Sequence, residues 1–410
     1  MRLAEVFQQV VGSDQAVEFS AYDGSHAGPE GAGTRIEVRT PMALSYLASA
    51  PGELGLARAY VTGNLEIIGD VHGALAHLSE LSLSEVPWSQ RLNLLALLGK
   101  VRVNNRIEVP AQERRLHGVR HSKARDREAI AHHYDVGNKF YEWVLGPSMA
   151  YTCAVYPSAD ATLEEAQFAK HDLVAKKLGL KEGMRLLDVG CGWGGMVMHA
   201  AKHYGVRAVG VTLSRNQAEW AQKAIVEAGL SELAEVRFLD YRDVREEGFD
   251  AISSIGLTEH IGKAKLPAYF RSLYGKLKPG GRMLNHCITR PNNLQRARTG
   301  GFIDRYVFPD GELVGPGHIV SLMTDTGFEV RHEENIREHY ALTLAAWGRN
   351  LDDHWEEAVE EVGEARARVW RLYLAASRLG FDRNNIQLHQ VLGVKLDRTD
   401  AKMPLRPDWA

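Results

Sequence analysis

The sequence lacks the features by which disulfide-stabilised, zinc-binding and membrane-spanning proteins are recognised. Its 410 residues include three cysteines, Cys153, Cys191 and Cys287, and no two of them have the close spacing of a zinc ligand pair. We therefore expect no metal site and no disulfide framework, which favours a reducing compartment. No run of about 18 apolar residues occurs, so no transmembrane helix is predicted.

A strong charge of either sign is also lacking. Lysine and arginine total 49, and aspartate and glutamate total 52, which leaves a net charge of −3 at neutral pH. This balance provides no general attraction to nucleic acid, and we expect no nucleic-acid partner. The first residues include Glu5 and lack the pattern of a cleavable signal peptide. We therefore expect a cytoplasmic protein.

The N-terminal third of the chain contains no catalytic motif. Strand-like stretches at 34–40 (TRIEVRT) and 64–69 (NLEIIG) alternate with helical ones, so we expect a small α+β accessory domain over residues 1–98. Residues 99–130 are predicted to be a linker with a basic surface. This surface is either simply solvated or rests on anionic lipid headgroups, where each basic residue contributes about 1 kcal/mol. Its cations are Lys100, Arg102, Arg106, Arg114, Arg115, Arg120, Lys123, Arg125 and Arg127.

The remaining residues, 131–410, are predicted to form the main α/β domain. From about residue 164, β-branched and apolar runs alternate with helical patterns, which indicates βαβ units and a parallel sheet. Thr162 and Glu165 have the spacing of a capping box before the first of these helices. The segment at about 290–325 is rich in Pro, Gly and Asn, so we expect a mobile cap inserted there. A late helix over about 352–379 and a last strand, IQLHQVLGVK, close the chain.

The strongest local motif is LLDVGCGWGG (186–195), which ends a predicted strand and opens a helix. Its glycines, Gly190, Gly192 and Gly194, allow a tight turn and a close approach of the backbone to a ligand. Asp188 and the spacing GxGxG are typical of class I S-adenosylmethionine (SAM) methyltransferases, whose ligand has no pyrophosphate to place at a helix N-terminus. We therefore predict a Rossmann-like SAM methyltransferase sheet. The alternative is a tight strand–helix turn without a ligand.

Other cofactor residues are expected after the second and third strands. The second strand ends in VTLSRNQ (211–217) without the acidic residue that often binds ribose hydroxyls, so Thr212 and Gln217 are the polar groups expected there, with Leu213 beside them. An aromatic face and a carboxylate suit the adenine end of the ligand. The residues expected at that end are Asp240, Tyr241 and Arg242.

Seven segments resemble, in this order, the cyclopropane fatty acid synthase family. They are HYDVGNKFYEWVLGPSMAYTCAVY (133–156), LLDVGCGWGG (186–195), VTLSRNQ (211–217), DYRD (240–243), IGLTEHIG (255–262), NHCIT (285–289) and HYALTLAAW (339–347). The resemblance covers residues from about 120 to 410. Within the family, the chain looks most like the actinobacterial branch that makes 10-methylene fatty acids, the precursors of 10-methylstearic acid.

The resemblance implies a SAM-dependent enzyme that alkylates the cis double bond of an acyl chain, with oleoyl phospholipid as the expected substrate. It also implies a bound bicarbonate ion that removes a proton from the resulting carbocation. The implied cage of this ion consists of Cys153, Glu259, His286, Tyr340 and the backbone at Ile255 or Ile288. By the same resemblance, Tyr151, Thr152 and Trp193 are expected at the cofactor. Cys153 is then a cavity-lining residue and not a nucleophile.

One departure from the family pattern bears on the product. Thr258 stands where many cyclopropane synthases have an aromatic residue before the Glu-His pair, and an aromatic face stabilises a cation. We therefore expect a different fate of the carbocation: a hydride shift followed by proton loss from the new methyl group, which gives a methylene product. The first alternative is a cyclopropane synthase that acts on the same lipids.

Two further alternatives come from other functional classes. One is a small-molecule or nucleic-acid methyltransferase with the same fold, and the other is a non-catalytic SAM-binding regulator. The balanced charge and the Glu-His-Tyr-Cys set argue against the first, and the presence of every expected cage residue argues against the second. The expected partners are membrane phospholipid, an anionic surface on the inner face of the membrane, a second copy in a homodimer, and a flavin- or nicotinamide-dependent reductase that saturates a methylene product.

Overall fold

The computed structural model describes residues 2–11, 17–80, 107–114, 118–123, 125, 126, 128 and 137–409. The chain divides into two compact units. The first comprises Met1–Arg115, Gly300–Val307 and Leu351–Leu379, and the second comprises Leu116–Thr299, Phe308–Asn350 and Gly380–Ala410. The first unit thus includes two segments far beyond residue 98, where the predicted accessory domain ends, and neither unit is one continuous stretch of chain.

The first unit contains a four-stranded mixed sheet. Its strands are β1 (Val17–Ala21), β2 (His26–Ala27), β3 (Thr34–Val38) and β4 (Leu65–Gly69), in the order β2-β1-β3-β4. The predicted strands at 34–40 and 64–69 are confirmed as β3 and β4. The helices in this part of the chain are α1 (Leu3–Val11), α2 (Pro41–Ser49), α3 (Glu53–Val61) and α4 (Val71–Glu80). A buried ion pair between Arg58 and Glu113, with nitrogen–oxygen distances of 2.8 and 2.9 Å, lies in the same unit.

The second unit is built on a seven-stranded sheet with the order β10-β11-β9-β8-β5-β6-β7. Its strands are β5 (Arg185–Val189), β6 (Arg207–Thr212), β7 (Ala234–Phe238), β8 (Phe249–Ile255), β9 (Leu277–Thr289), β10 (Glu329–Asn335) and β11 (Gln387–Val394). Strands β5 to β9 are mutually parallel, whereas β11 is antiparallel to both of its neighbours. The predicted α/β fold with a mainly parallel sheet is confirmed, and the predicted last strand is β11.

Helices connect the strands of this sheet and continue beyond it. They are α5 (Asn138–Leu145), α6 (Leu163–Leu178), α7 (Gly195–Tyr204), α8 (Arg215–Glu227), α9 (Thr258–Ile261), α10 (Leu266–Lys276), α11 (Pro316–Thr326) and α12 (Arg337–Asp353). The helices α13 (Trp355–Val362) and α14 (Glu364–Asp382) follow along the chain, and α13 and most of α14 belong to the first unit. The predicted capping box is confirmed at the start of α6, where Thr162 and Glu165 each accept a hydrogen bond from the backbone of the other. The prediction of one late helix is wrong. Parts of three helices occupy that region, and Gly363, with a φ angle of 81°, ends α13 before α14 begins.

The core of the second unit lies on both faces of the large sheet. Leu186 and Leu187, adjacent residues of β5, belong to two different buried clusters, because successive side chains of a strand point to opposite faces. Each such fully buried leucine contributes about 1.5–3 kcal/mol to stability. A strand buried on both faces is typical of the centre of a parallel sheet, and this rigid centre positions the turn that follows β5.

The segment after β9 is irregular only in part. Residues 290–299 contain no helix, and Ile303–Val307 form a short π-helix. Pro316–Thr326, however, is a regular helix, α11, whose Ile319 and Met323 are buried in the sheet core. Pro316 at the first helical position and Gly327 at its C-cap explain the boundaries of α11. The irregular part of the chain is therefore shorter than the predicted cap of 290–325.

Three described cations of the predicted linker are paired with carboxylates. Arg120 Nε lies 2.7 Å from Asp310 Oδ1, and Arg125 also donates to Asp310. Lys123 Nζ lies 2.6 Å from Asp243 Oδ1. Lys100, Arg102, Arg106, Arg115 and Arg127 lie outside the described residues. Among the helices that the structure describes, none is long and apolar enough to cross a membrane.

Candidate active site

The glycine-rich turn connects β5 to α7 at the carboxyl edge of the large sheet. Gly190, Gly192 and Gly194 have φ angles of 76°, 55° and 81°, where side chains are strained. A Cβ atom on Gly194 would lie 3.2 Å from Ala221 and Val236, so the turn packs tightly against its neighbours. A Cβ atom on Gly192 would meet no atom within 4 Å, because this residue borders a cavity.

The cavity beside this turn contains a large share of the predicted cofactor residues. Those that line it are Tyr151, Thr152, Asp188, Gly190, Gly192, Trp193 and Gln217. Those that do not line it are Gly194, Thr212, Leu213, Asp240, Tyr241 and Arg242. Two further lining residues, Lys170 and His171, come from α6 and were not predicted from the sequence. The turn and one face of α6 therefore form the site together.

A buried carboxylate and a buried amine both line the cavity. Asp188 accepts a hydrogen bond of 2.6 Å from Ser253 Oγ, and Lys170 Nζ donates to Thr152 Oγ1 at 3.1 Å. Lys170 Nζ also lies 2.8 Å from His171 Nε2, which is a neutral acceptor because burial lowers the pKa of His171. Burial raises the pKa of Asp188 to about 6 and lowers the pKa of Lys170 to about 7, since desolvation disfavours both charged forms.

This cavity fits a ligand with the chemistry of SAM. Asp188 offers a carboxylate to a cationic amine, and the turn leaves open space at Gly192 for a close approach. The aromatic rings of Tyr151 and Trp193 also line the cavity. Both pack against Tyr141, with ring centroids 5.8 and 4.7 Å apart, and such faces attract a positively charged sulfur. When SAM is bound, these residues would hold it and its sulfonium would supply the methyl group.

The predicted ribose and adenine residues are engaged with one another. Thr212 Oγ1 donates to Gln217 Oε1 at 2.7 Å, so both side chains already have a partner. Asp240 accepts from Arg242 Nε at 2.8 Å, and the Arg242 guanidinium lies 5.5 Å from the Tyr241 ring centroid. The Arg242 hydrogen bonds hold the pKa of Asp240 below its usual value, although burial opposes them. The assignment of these residues to the cofactor stays a prediction.

Glu259 is a buried carboxylate in α9, the short helix that follows β8. Its Oε1 accepts a 2.7 Å hydrogen bond from the backbone amide of Ile288. Its Oε2 is buried and has no hydrogen-bond partner among the described residues. Burial raises the pKa of Glu259 to about 7. The Ile288 amide thus orients Glu259, and one carboxylate oxygen is left available for a ligand.

His286 lies on β9, two residues before Ile288, with its side chain on the same face of the sheet. Its Nδ1 is 3.2 Å from Gln390 Nε2, so Nδ1 accepts and the ring proton resides on Nε2. Nε2 is buried and lacks a partner within the described part of the chain. Glu259 thus offers an available acceptor and His286 an available donor, the two kinds of group that bicarbonate needs because it carries both a hydroxyl group and negative oxygens. That both bind one ion stays a prediction.

Cys153 is completely buried, and its thiol donates to the carbonyl oxygen of Ala154 at 3.1 Å. Burial raises the pKa of the thiol far above its usual value, whereas a nucleophilic cysteine needs a lowered pKa. The thiol also lies 3.9 Å from the carbonyl oxygen of Ile336, just before α12. This environment suits the predicted wall residue.

Tyr340 lies in the first turn of α12 and is 6% exposed. Its ring centroid is 4.5 Å from that of Phe381 and 6.1 Å from that of Trp347, which in turn is 5.3 Å from Tyr151. A series of neighbouring aromatic rings therefore connects Tyr340, a predicted cage residue, with Tyr151 at the cofactor cavity. Such π-rich surroundings stabilise a cation.

Three polar residues of the site, Lys170, Lys177 and Gln390, were not predicted from the sequence because the elements that carry them contain no recognisable motif. Lys170 and Lys177 are seven residues apart on α6, which places them on the same face of the helix. Their spacing was a usable signal, but only the fold reveals that this face is buried. Gln390 on β11 carried no signal, because its importance comes from the strand that pairs with β11.

Comparisons with known proteins agree with this geometry. Residues 121–391 match the family model described as mycolic acid cyclopropane synthetase. A probable fatty acid methyltransferase of Mycobacterium tuberculosis is 54% identical over 422 residues, which cover 100% of this chain and 98% of that relative. A probable fatty acid methyltransferase of Pseudomonas putida is 38% identical, with coverages of 88% and 86%.

Solved structures lead to the same group of proteins. The cyclopropane synthase MmaA2 from Mycobacterium tuberculosis superimposes with a TM-score of 0.63 at 33% identity, over 66% of this chain and 98% of that one. The mycolic acid cyclopropane synthase CmaA1, complexed with SAH and CTAB, has a TM-score of 0.62 at 32% identity and the same coverages. Coclaurine N-methyltransferase, bound to N-methylheliamine and SAH, shares the fold, with a TM-score of 0.58 at 22% identity over 65% of this chain and 81% of that one.

Proposed function

The chain belongs to the mycolic acid cyclopropane synthetase family, and from this premise we propose that it methylates the cis double bond of a phospholipid acyl chain, with oleoyl as substrate and a 10-methylene chain as product. It is a SAM-dependent methyltransferase that acts on lipid acyl chains. The observation that carries the finer proposal is the combination of two sites on one sheet edge. A cavity suited to a sulfonium cofactor lies there, as do the buried Glu259 and His286, each with a polar atom that has no partner among the described residues.

The proposed reaction balances without a redox partner. The π electrons of the double bond form a bond to the methyl carbon, while the carbon–sulfur bond breaks and leaves its electrons on sulfur. The acyl chain becomes a carbocation. A hydride then shifts from the methylated carbon to its neighbour, so that the methyl-bearing carbon is cationic. Loss of a proton from the methyl group gives the exocyclic methylene.

The chain would hold the base for that proton with side chains fixed by the fold. Bicarbonate, when bound, would accept the proton and leave as carbonic acid. Glu259 would accept from the hydroxyl of the ion through Oε2, since Ile288 holds Oε1. His286 would donate from Nε2 to a negative oxygen. Cys153 and Tyr340 are 0% and 6% exposed, so as walls of the site they would exclude water that could capture the cation.

Thr258 supports a methylene product over a ring. It is 4% exposed, directly precedes Glu259, and presents no aromatic face to the cation. We expect the hydride shift to compete better where this stabilisation is missing. The test is expression in a host that contains oleate, followed by proton NMR of the extracted fatty acids. Terminal methylene protons support the proposal, whereas cyclopropane ring protons would assign the chain to the alternative. If the product is a methylene chain, its saturation requires a separate flavin- or nicotinamide-dependent reductase, the partner that we propose.

The membrane contact is proposed at the segment after β9. Leu294 is 95% exposed, and a nearby groove is lined by Lys263, Arg296 and Arg298 together with one carboxylate, Glu312. An exposed apolar side chain beside basic residues suits the surface of an anionic bilayer. Three of the four described linker cations are less suitable, because Arg120, Lys123 and Arg125 are already paired.

Vesicle flotation tests this contact. The variants Leu294→Glu and Arg296→Glu should each reduce binding to vesicles with anionic lipid and lower turnover on them. SAM affinity should be unchanged, because neither residue lines the cofactor cavity. Undiminished flotation of both variants would place the contact elsewhere.

A homodimer is also proposed, and light scattering of the full chain tests it.

A further inference from the structure

Three polar residues form a row across neighbouring strands of the large sheet. Glu334 on β10 pairs in register with Gln390 on β11, and Gln390 pairs in register with His286 on β9. Residues directly opposite one another in paired strands project from the same face of the sheet. The side chains of Glu334, Gln390 and His286 therefore lie side by side on one face.

A lysine from α6 completes this row. Lys177 packs against the sheet with its side chain 1% exposed, forms an ion pair with Glu334, and donates to Gln390 Oε1 at 2.8 Å. Lys177 Nζ also lies 5.7 Å from the ring centroid of Trp409. Burying an amine in this way is costly unless its hydrogen bonds are made. The position of Lys177 is thus fixed by an anion on one side and an amide oxygen on the other.

Lys177 also determines which way the Gln390 amide faces. An ammonium group only donates hydrogen bonds, so the amide must turn its oxygen toward Lys177. Its NH2 group then faces the other neighbour, His286 Nδ1, at 3.2 Å. The reversed amide would place two donors against each other at Lys177. The ion pair between Glu334 and Lys177 therefore sets the orientation of a completely buried amide.

The amide in turn selects the tautomer of His286. Because Gln390 donates to Nδ1, that nitrogen must carry a lone pair and the ring proton must lie on Nε2. Burial, together with the positive charges of Lys170 and Lys177, lowers the pKa of His286 well below its usual value. The ring is consequently neutral, and without Gln390 it would have no fixed preference for this tautomer. The Nε2 atom has no partner in the part of the chain that the structure describes, and it is the atom that would donate a hydrogen bond to the base in the proposed function.

We propose that Lys177 and Gln390, anchored by Glu334, are positioning residues that hold His286 as the Nε2–H tautomer, so that the ring donates a hydrogen bond to the catalytic anion. The anion as bicarbonate rests on the proposed function above. The relay itself depends only on the contacts of the described residues. No member of the relay other than His286 would touch the anion or the substrate.

The first experiment reads the tautomer directly in the full chain. Histidine labelled with nitrogen-15 is introduced, and the signal of His286 is assigned by its loss in His286→Gln. The wild type should show a protonated Nε2 and an unprotonated Nδ1. Lys177→Met and the nearly isosteric Gln390→Met should each give a mixture of tautomers. An unchanged Nε2–H tautomer in both variants would overturn the proposal.

The second experiment measures turnover against bicarbonate concentration. In both variants the bicarbonate KM should rise roughly 10–100-fold, as is typical when the outer hydrogen-bond partner of a functional histidine is removed. The Kd of SAM should be unchanged. The matched control is Lys176→Met, the neighbouring lysine on α6, whose side chain is 39% exposed and pairs with Asp172; it should leave the bicarbonate KM unchanged.

A double-mutant cycle separates the relay from general damage to the fold. On a His286→Ala background, adding Lys177→Met should change the residual turnover by less than about twofold, because the group that it positions is gone. A full additional loss on that background would overturn the relay. Wild-type turnover indifferent to bicarbonate would instead overturn the base in the proposed function, and the tautomer measurement would still decide the relay.

Discussion

Two regions lie on the same edge of one sheet but are built in different ways. One is the turn after β5, and the other is the polar cluster, by which we mean Glu259, His286 and their hydrogen-bond partners. The turn takes its shape from the backbone, and Gly190, Gly192 and Gly194 have positive φ angles within five consecutive residues. The cluster takes its shape from side chains, since Glu259 and His286 are held by partners on other elements. The first site is therefore sensitive to any side chain added at the turn, and the second to the loss of particular polar atoms.

Removal of the carboxylate from the cluster should have the largest effect. Glu259→Gln keeps the size of the side chain but is not a charged acceptor, so the proposed base is no longer held in place. We therefore expect turnover to fall by about 100- to 10,000-fold, the usual contribution of a positioned base. SAM affinity, measured by calorimetry, should be unchanged, because Glu259 does not line the cofactor cavity. Glu219→Gln, at a side chain 68% exposed, is the control. Turnover within tenfold of the wild type would remove Glu259 from the mechanism.

A side chain added at the turn should weaken SAM binding itself, which Glu259→Gln should leave unchanged. Gly192→Val places two methyl groups in the open cavity, so SAM affinity should fall by at least about 100-fold, or about 2.7 kcal/mol. The control is Gly229→Val, because Gly229 has a φ angle of 67° and also has open space around its Cβ position, but does not line the cavity. Both variants carry similar backbone strain. Equal SAM binding in the two variants would show that the cavity does not hold the cofactor.

The pH dependence of SAM binding tests the charged groups of the cofactor cavity, Lys170 and Asp188. Lys170, with a pKa of about 7, gains a positive charge as the pH falls, and Asp188, with a pKa of about 6, then loses its negative charge. Both changes disfavour a cationic ligand, so affinity should decrease from pH 8 to pH 5.5, by up to about tenfold per pH unit for each proton taken up. Asp188→Asn should remove the lower of the two steps. A flat profile in the wild type would contradict the assigned role of Asp188.

The smallest effect is expected at Cys153. Cys153→Ser keeps a small donor that can reach the carbonyl oxygen of Ala154, as the thiol does at 3.1 Å. Because burial raises the pKa of the thiol, no thiolate is available whose loss could matter. Turnover should therefore fall by less than about tenfold, the decrease coming from the polar hydroxyl in a buried site. A fully inactive variant with normal SAM binding would point to an essential thiol.

The sequence allowed the turn to be predicted in more detail than the cluster, for a physical reason. A tight turn is a local requirement, so DVGCGWG indicated both the strand–helix junction and the cavity beside it. The alternation of strands and helices likewise predicted the parallel sheet. Lys177, Gln390 and Glu334 became meaningful only through pairing between segments separated by as many as 213 residues. No local pattern encodes such a contact, and the same holds for Lys170.

The most direct test of the central claim follows the methyl carbon itself. SAM carrying a carbon-13 methyl group is incubated with the full chain and vesicles of oleoyl phospholipid, first without bicarbonate and then with bicarbonate restored, and the lipids are analysed by carbon NMR. We predict that the label appears as an exocyclic methylene carbon, and that its appearance depends on bicarbonate. Absence of the label from the acyl chain, or a rate that bicarbonate does not change, would contradict the account.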